Sequence, residues 1–296
     1  MELSVSRTAL SINGFSIYWY GVLIALGTAA TLFFAIRQEK ELGFRKDTVI
    51  DYLLVVLPAG LAGARAYYVL LHPQSFSSFR DVINLRDGGL AIYGGLIAGF
   101  AAGFIMSRIR GDRLIDLCDL VFPNVALAQA VGRWGNFLNE EAYGREITLR
   151  FWQFFPAAVK VDGVWYAAAF FYESVWCLGI FLVLTLPRSR KRFTRRGSRA
   201  GTYALLYALE RCAVEGLRMD SLYLWGNVRA SQLLSAVILL AGSAVIFKRD
   251  RRRFLLLPLS AAAVAACLGF LPAAVLYICL SGWAAVEVIG FIRVRK

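Results

Sequence analysis

The densest group of polar residues in the chain is the segment GRWGNFLNEEAYGR, at residues 132–145. It packs two arginines, two amides, two carboxylates and three glycines into fourteen positions. Arginine presents a planar fork of donors that matches phosphate, and glycine lets a backbone approach a ligand closely. Polar residues at a membrane boundary can also be solvated anchors, but the density here favours a binding or catalytic site. The candidate residues of this segment are Arg133, Asn136, Asn139, Glu141 and Gly144.

Two further arginines lie inside apolar runs instead of at their ends. Arg65 is in GLAGARAYYVL, and Arg211 is in LLYALERCAVEGLR with Glu210, Glu215 and Arg218. A charged side chain at mid-helix costs about 2.5–3.5 kcal/mol on insertion scales, so it tends to face a bundle interior or a watery cavity. The spacing predicts that Arg211, Glu215 and Arg218 share one helix face. A buried ion triad that only holds spans together is the structural alternative, but arginines from three separate segments favour an anion site.

Two tyrosines complete the set of candidate residues. Tyr93 lies beside Gly94 in RDGGLAIYGG, residues 86–95, and Tyr20 lies in IYWYGVLIALG. Paired glycines permit a loop to dip into a membrane, although small residues in spans most often form helix-packing faces. Tyr20 alone would most often be an aromatic residue of the membrane interface. Each motif is therefore evidence for a functional site only in combination with the others.

The elements that must position these residues are those of a membrane protein. In the chain 58% of residues are hydrophobic and 18% are charged, whereas a soluble domain is about half apolar and a quarter charged. The formal net charge of +13 comes from short bursts of Lys and Arg between apolar runs, which indicates membrane orientation and not a nucleic-acid partner. The five cysteines lie inside apolar runs without a CxxC spacing, and His72 is the single histidine. We therefore expect no metal site, no disulfide framework and no cofactor.

The apolar runs have the length of membrane spans, which need about 20 residues for a core of roughly 30 Å. They predict an all-α fold, a polytopic transmembrane helical bundle with a seven-span core in residues 1–254. The core spans are expected at 16–36, 49–71, 89–107, 114–132, 168–187, 201–217 and 230–247. Residues 255–296 are expected to add a C-terminal helical hairpin with spans at 255–270 and 273–292. One span with a re-entrant stretch is the alternative, but basic groups at both ends of 254–292 favour the hairpin.

The basic bursts follow every odd-numbered span, so these ends are predicted to be cytoplasmic. The N-terminus is then outside, the C-terminus is cytoplasmic, and the first span is retained instead of being cleaved as a signal peptide. The largest outward segment, 133–168, is the place for a small extracytoplasmic element. Within it, AAVKV and VWYAA flank Asp162 and Gly163, a pair suited to a type I′ turn. A short β-hairpin is expected there.

Taken together, these motifs resemble those of the prolipoprotein diacylglyceryl transferase family. GRWGNFLNEEAYGR is similar to the family signature, and RDGGLAIYGG resembles a second motif. The remaining matches, in the same order along the chain, are Trp19-Tyr20-Gly21, Gly63-Ala64-Arg65 and the group Arg211, Glu215 and Arg218. The resemblance covers residues 15–250, and a polar signature in fixed order with four other motifs is far more specific than a lone glycine pattern. The tail beyond residue 255 has no counterpart.

The resemblance implies a transferase of the bacterial plasma membrane. It would move the diacylglyceryl group of phosphatidylglycerol onto the thiol of a lipobox cysteine in a preprolipoprotein signal peptide, forming a thioether and releasing glycerol phosphate. Its partners would be phosphatidylglycerol, such signal peptides and membrane lipids. The family's essential residues correspond here to Arg133, Arg211, Asn136, Gly144 and Tyr20.

A free thiol has a pKa near 8.5, so its attack requires proton removal or a positive field. We expect Arg133 and Arg211 to clamp the phosphate and stabilise the departing oxygen. Asn136 and Gly144 would shape the headgroup pocket, and Tyr20 would hydrogen-bond the phosphate or relay a proton. Further contacts to substrate are expected from Arg65, Gly94, Asn139, Glu215 and Arg218.

Two departures from the family pattern leave the proton acceptor open. Some members have a histidine where this chain has Tyr93, and many have a His-Pro pair where it has Ala167 and Ala168. A histidine base is therefore excluded. The remaining candidates are Tyr93, Glu141, Glu215 and the phosphate itself.

The alternative from another class is a transporter of anions or lipid headgroups, whose arginines would line a passage. A passage needs polar residues through the full depth of several spans, whereas here most lie in the outward half. No inverted repeat is visible in the sequence. A non-catalytic scaffold that depends on lipid would not need an arginine cluster.

Overall fold

The computed structural model describes residues 8–12, 15–85, 88–186, 193, 195–216, 218, 223–225, 228–249, 256–267 and 282. Its α-helices are α1 (Trp19–Glu39), α2 (Thr48–Leu71), α3 (Phe79–Ile83), α4 (Ile92–Arg110), α5 (Leu114–Leu138), α6 (Ala169–Thr185), α7 (Ser198–Glu215), α8 (Ala230–Arg249) and α9 (Leu256–Cys267). Short 3-10 helices occupy Pro73–Ser75 and Arg150–Trp152. The predicted span at 273–292, and with it most of the C-terminal hairpin, lies outside the described residues.

Three antiparallel strand pairs accompany these helices. They are β1 (Thr8–Ile12) with β2 (Phe15–Tyr18), β3 (Ala158–Val161) with β4 (Val164–Ala167), and β5 (Tyr223–Trp225) with β6 (Val228–Arg229). The hairpin β3–β4 confirms the predicted one. Asp162 has φ 47° and Gly163 has φ 83°, the two positive values that a type I′ turn requires. The hairpin β1–β2 was not anticipated, because its apolar strands run directly into the first apolar helix.

Within the described part of the chain, four helices are long and apolar enough to cross a membrane: α1, α2, α4 and α5. Helix α6 and the stretch Ser231–Ser243 of α8 are apolar but shorter. Length and composition thus indicate a mainly helical membrane protein with small β-hairpins. The seven-span count stays a prediction.

Two boundaries differ from the sequence-based expectation at places that matter for the site. Helix α5 continues to Leu138, so the first half of the polar signature is helical instead of lying in the outward segment. Helix α7 ends at Glu215, so the prediction that Arg218 shares a helix face with Arg211 is wrong. Arg218 lies beyond the helix end, where it forms an isolated antiparallel bridge with Gly144.

The chain divides into two compact units, the first formed by Met1–Ala30 and Phe122–Lys296, the second by Thr31–Val121. Helices α1 and α5 contribute residues to both. The predicted boundary between residues 254 and 255 stays a prediction.

Among the described residues of the first unit, two apolar clusters hold the elements together. One lies among α7, α8 and α9 and consists of Ala208, Leu209, Cys212, Ala236, Leu239 and Ala263. The other joins the hairpin β3–β4 to the helices beside it, through Val159, Ala168 and Phe170. The rings of Phe137 on α5 and Phe170 on α6 stack with their centroids 4.8 Å apart. The end of α5 is therefore packed against the start of α6, which positions the polar signature.

The second unit is organised by the close pairing of α2 and α4. A Cβ atom on Gly63 would lie 2.2 Å from the Cβ of Ala98, and one on Gly94 would lie 2.4 Å from the oxygen of Gly63. Glycine at these positions lets the two backbones touch, as in many membrane helix pairs. Where α4 ends, the guanidinium of Arg110 forms an ion pair with the carboxylate of Asp51 on α2. Glycine packing and this ion pair together fix the helix pair.

Candidate functional site

One buried carboxylate gathers three arginines in the first unit. Glu173 projects from α6, within the apolar run AFFYESVWCLGIF, and its side chain is 1% exposed. Its Oε2 lies 2.5 Å from Nη1 of Arg133, and its Oε1 lies 2.9 Å from Nη1 of Arg211. Nη1 of Arg218 lies 3.6 Å from the same Oε1. Nη2 of Arg211 also lies 2.5 Å from Oε2 of Glu215. We call these five residues the arginine–glutamate cluster.

Arg133 reaches the cluster because α5 and α6 are held together beside it. Nε1 of Trp134 donates a hydrogen bond of 3.1 Å to the hydroxyl of Ser174. That hydroxyl donates in turn to the carbonyl oxygen of Ala130, at 2.8 Å. Ser174 is the neighbour of Glu173, so the same turn of α6 that carries the carboxylate is fixed to α5.

Arg211 and Arg218 enter from the end of α7. Arg211 and Glu215 form an i,i+4 pair on the last turns of the helix. Arg218 follows the helix end and is held by its bridge to Gly144. The N–H group of Gly144 donates to the oxygen of Ala167 at 2.9 Å. A Cβ atom on Gly144 would lie 2.7 Å from the Cβ of Ala167, so this close approach of two backbones requires glycine.

The contacting groups of the cluster carry more positive than negative charge. Three guanidinium groups against two carboxylates leave a formal charge of +1. The arginine side chains are 13–16% exposed, so they are enclosed but reachable. Such an enclosed group of guanidinium forks suits a monoanion of phosphodiester type.

A sixth charged residue lies close to the cluster without touching it. Glu210, on α7, interacts electrostatically with Glu173, Arg133, Arg211 and Arg218. Its side chain is 4% exposed, and neither carboxyl oxygen has a hydrogen-bond partner among the residues that the structure describes. The ionisation of Glu210 therefore decides whether the whole group is neutral or carries one positive charge.

A cavity of about 560 Å³ opens beside the signature, and three of the predicted residues line it. Tyr20, Asn139 and Glu141 line the cavity. Oε1 of Glu141 accepts hydrogen bonds from Nδ2 of Asn136 at 3.0 Å and from Nδ2 of Asn139 at 3.4 Å. The ring of Tyr20 covers Gly135, where a Cβ atom would lie 2.5 Å from Cδ2 of the tyrosine. Asn136 projects from α5 one turn after Arg133, so the same helix serves cavity and cluster.

Arg65, in the second unit, is held by a different kind of partner. All five of its N–H groups donate to backbone carbonyls. Nε donates to Val82 at 2.8 Å, Nη1 to Gly88 at 2.6 Å and Gly89 at 2.9 Å, and Nη2 to Asp81 at 2.6 Å and Asn84 at 2.8 Å. The guanidinium thus satisfies the carbonyls left without partners at the end of α3 and in the loop that follows. No donor remains for a ligand, which argues against the predicted substrate contact of Arg65.

The loop that Arg65 holds begins with a capping box on α3. The N–H group of Asp81 donates to the hydroxyl of Ser78, and the Asp81 carboxylate accepts from the N–H of Ser78 at 2.9 Å. The side-chain hydrogen bond of Ser78, with the backbone N–H groups of Ser78 and Ser77, holds the pKa of Asp81 below its usual value. The short helix is therefore fixed at both ends.

The other two predicted residues of the second unit lie at the start of α4. Tyr93 is 42% exposed in the first turn. Gly94 is buried against Tyr67 and Gly63, where its small size serves helix packing. The roles predicted for Tyr93 and Gly94 in the site stay predictions.

Glu173 was missed as a candidate by reasoning from the sequence, although a signal was present. It is a lone carboxylate inside an apolar run, so the cost of burying a charge in a span applies to it as much as to Arg211. Glu210 was noticed in its run but was given no role. In the residues that the structure describes, no group of three His, Cys, Asp or Glu side chains is arranged to hold a metal ion.

Comparisons with known proteins agree on one family. Residues 7–248 match the family described as prolipoprotein diacylglyceryl transferase. A protein of Enterococcus faecalis (strain ATCC 700802 / V583) named phosphatidylglycerol–prolipoprotein diacylglyceryl transferase is 39% identical over 258 residues, 85% of this chain and 93% of that protein. Proteins with the same name from Bacillus mycoides (strain KBAB4) and Clostridioides difficile (strain 630) are 40% and 39% identical, over 84% and 80% of this chain and 93% of each relative.

Proposed function

Because the chain belongs to the prolipoprotein diacylglyceryl transferase family, we propose that it catalyses the first step of lipoprotein maturation. The diacylglyceryl group of phosphatidylglycerol moves to the thiol of the lipobox cysteine in the signal peptide of a preprolipoprotein. The bond between the glycerol carbon and the phosphate oxygen breaks, a C–S bond forms, and glycerol phosphate leaves with the electron pair. The thiol proton passes to an acceptor and ends on the released phosphate.

The observation that carries this proposal is the convergence of Arg133, Arg211 and Arg218 on Glu173. Arg133 makes one described ion pair, through Nη1, which leaves its Nε and Nη2 as donors for a phosphate. Arg211 is oriented by two carboxylates, so its plane is fixed before a ligand arrives. Preorganised donors aimed at developing charge are an effective way to stabilise a leaving oxygen. The cluster therefore acts as the phosphate clamp.

The cavity beside the signature supports a role for Glu141 as the proton acceptor. Of the acceptors considered from the sequence, Glu215 is occupied by Arg211, whereas Glu141 borders open space and holds only amide donors. Asn136 and Asn139 orient the carboxylate, and Tyr20 lines the same cavity. Glu141→Gln is expected to abolish transfer, and Tyr93→Phe is expected to retain it.

The clamp is tested with purified protein, phosphatidylglycerol and a lipobox peptide, and with mass spectrometry for the added diacylglyceryl mass. Arg133→Ala is expected to abolish the product while the protein still folds, because it removes a donor from the clamp. The matched control is Arg45→Ala, which removes an exposed arginine of the second unit. A peptide with Ser in place of Cys must give no product with the native protein. Near-normal transfer by Arg133→Ala would contradict the clamp.

The family and the apolar helices support a membrane location, and we extend this to a seven-span core with the N-terminus outside and the C-terminus in the cytoplasm. Single cysteines placed at Lys46 and Lys160 of a cysteine-free variant are expected to differ in their reaction with an impermeant maleimide on intact cells. Lys160, in the hairpin β3–β4, should react. Lys46, which follows α1, should react only after the membrane is opened.

A further inference from the structure

An exposed apolar cluster projects from the segment that joins α5 to α6. Its members are Leu149, Phe151, Trp152, Phe154 and Phe155, with exposed fractions of 67%, 77%, 49%, 47% and 53%. We call them the aromatic ridge. Isolated apolar residues on a surface need no explanation, but a contiguous patch marks a contact with a partner or with lipid.

The ridge is displayed by a well-bonded turn. The 3-10 helix at Arg150–Trp152 is followed by Gln153, whose Nε2 donates to the oxygen of Ile147 at 2.9 Å. The N–H of Trp152 donates to the oxygen of Leu149 at 3.0 Å. The polar side chain of Gln153 thus points back to the backbone and does not cover the apolar side chains. The rings of Phe151 and Trp152 meet edge to face at 5.2 Å.

The ridge is continuous with the end of an apolar helix. The ring of Phe155 packs on that of Phe171, in the first turn of α6, with centroids 5.0 Å apart. The hydroxyl of Tyr172 donates to the oxygen of Ala157. Since α6 and α5 are apolar helices of a membrane protein, the chain between their adjoining ends emerges at the level of the lipid headgroups. Trp, like Tyr, is enriched at this level because its polar edge can stay hydrated while the rest of the ring contacts lipid.

We propose that the aromatic ridge inserts into the interfacial layer of the adjoining lipid leaflet and sets the depth of the arginine–glutamate cluster relative to the phosphates. The ridge shares its backbone framework with the site. The N–H of Ala158 donates to Phe154 at 2.8 Å, and the N–H of Ala168 donates to Ala157 at 3.3 Å. Next to it, Gly144 bonds Ala167 and bridges Arg218. Anchoring the ridge therefore anchors one arginine of the clamp.

Lipid is the occupant that the charge of the ridge favours. Arg150 is exposed and lies between Leu149 and Phe151 along the chain, and an arginine flanked by apolar residues suits a phosphate above acyl chains. A twofold contact between two copies would bring two such arginines together, and like charges at an interface oppose association. The insertion itself is independent of the catalytic proposal, whereas its effect on turnover rests on that proposal.

The insertion is tested by the fluorescence of Trp152, taken as the difference between the native protein and Trp152→Phe in phosphatidylcholine and phosphatidylglycerol nanodiscs. Lipids brominated near the top of the acyl chain are expected to quench this difference, and aqueous acrylamide is expected not to. Quenching by acrylamide alone would overturn the proposal. Protection from both quenchers with a dimer in the disc would overturn it as well, because a second copy would then cover the ridge.

The effect on depth is tested with the double variant Phe151→Ser and Trp152→Ser. Its apparent KM for phosphatidylglycerol in bilayers is expected to rise about tenfold, the cost of roughly 1.4 kcal/mol in lipid contact. With short-chain phosphatidylglycerol in micelles its turnover should stay within about twofold of native, because depth is not set there. Equal loss in both systems would indicate a damaged site and overturn the depth role, as would no loss in bilayers.

The matched control is Phe79→Ser, which removes an aromatic residue of α3 that is 76% exposed, close to the 77% of Phe151. This variant is expected to keep its bilayer KM within about twofold of native; a tenfold rise there would show that any exposed aromatic ring has the same effect and overturn the assignment to the ridge. Absence of transfer by the native protein would defeat the proposed function, while the quenching result would still decide whether the ridge inserts.

Discussion

Arg65 and Arg133 are both guanidinium groups within apolar helices, yet the structure surrounds them in opposite ways. Arg65 gives all five of its N–H groups to neutral carbonyl oxygens. Arg133 meets a carboxylate that it shares with two other arginines. The first arrangement uses the geometry of arginine to close a loop and leaves no donor. The second arrangement concentrates positive charge and leaves donors of Arg133 available for a ligand. An arginine in a span can thus bind a ligand only when its protein partners leave some of its N–H donors unused.

Among the variants that distinguish the surroundings of Arg133 from those of Arg65, Glu173→Gln is expected to have the largest effect. The change leaves three guanidinium groups facing one another, and breaking a buried ion pair from one side costs about 3–5 kcal/mol in the free energy of unfolding. Transfer is expected to fall about 100-fold or more. The control is Glu146→Gln, at an exposed carboxylate of the segment that joins α5 to α6. Thermal unfolding in detergent and the transfer assay read out both effects, and native activity in Glu173→Gln would remove the cluster from the mechanism.

Replacing Arg65 by lysine is expected to destabilise a loop, whereas replacing Arg133 by lysine is expected to slow the reaction. Lysine offers its donors from one point and cannot span five carbonyls. In Arg65→Lys each buried carbonyl left without a donor costs about 1–3 kcal/mol, so trypsin should cut faster within residues 76–91. In Arg133→Lys the proteolysis rate should match native while kcat falls. Unchanged proteolysis in Arg65→Lys would show that the loop does not depend on the guanidinium.

Two adjacent glycines allow the contact with Arg65 to be isolated. Gly88 and Gly89 have φ of 78° and 75°, so alanine at either costs about 1–2 kcal/mol in backbone strain. A Cβ atom on Gly89 would also lie 2.5 Å from Nη1 of Arg65, whereas one on Gly88 meets nothing within 4 Å. We expect Gly89→Ala to accelerate proteolysis of the loop more than Gly88→Ala does. Equal rates in the two variants would mean that backbone strain alone is responsible.

The smallest effect is expected from Glu210→Gln, which keeps the shape of the side chain and removes its charge. In an assay buffer alkaline enough to ionise Glu210 the cluster and its neighbour sum to zero, so the substitution would leave one positive charge to attract an anionic lipid. The apparent KM for phosphatidylglycerol is expected to fall by roughly a factor of three, with kcat unchanged, in line with a screened interaction of under 1 kcal/mol. A raised KM would show that the carboxylate itself contacts the substrate.

Features governed by neighbouring residues could be predicted from the sequence. The hairpin β3–β4 follows from Asp162 and Gly163, whose preference for positive φ is local. The described helices follow from apolar runs, and the contact between Arg211 and Glu215 follows from helical periodicity. The family could be identified because the polar signature is long and ordered.

Features that depend on distant partners could not be predicted in the same way. Arg65 and Arg133 look alike in sequence, and only the fold shows that one meets carbonyls and the other a carboxylate. Arg218 was predicted to share a helix face with Arg211, but the helix ends before it. Arg218 instead bridges Gly144, and helical periodicity cannot predict a contact between residues so far apart in the chain. Glu173 has no charged neighbour in its own run, so its three arginine partners could not be predicted.

The bridge between Gly144 and Arg218 also constrains how the site can admit a molecule as large as a phospholipid. It fastens the segment that joins α5 to α6 to the chain just beyond the end of α7. Widening the pocket therefore requires either that both stretches swing as one flap or that the bridge opens. In the second case a residue of the clamp moves away whenever the pocket is wide, so the reaction is restricted to the closed form, in which the attacking thiolate is shielded from water.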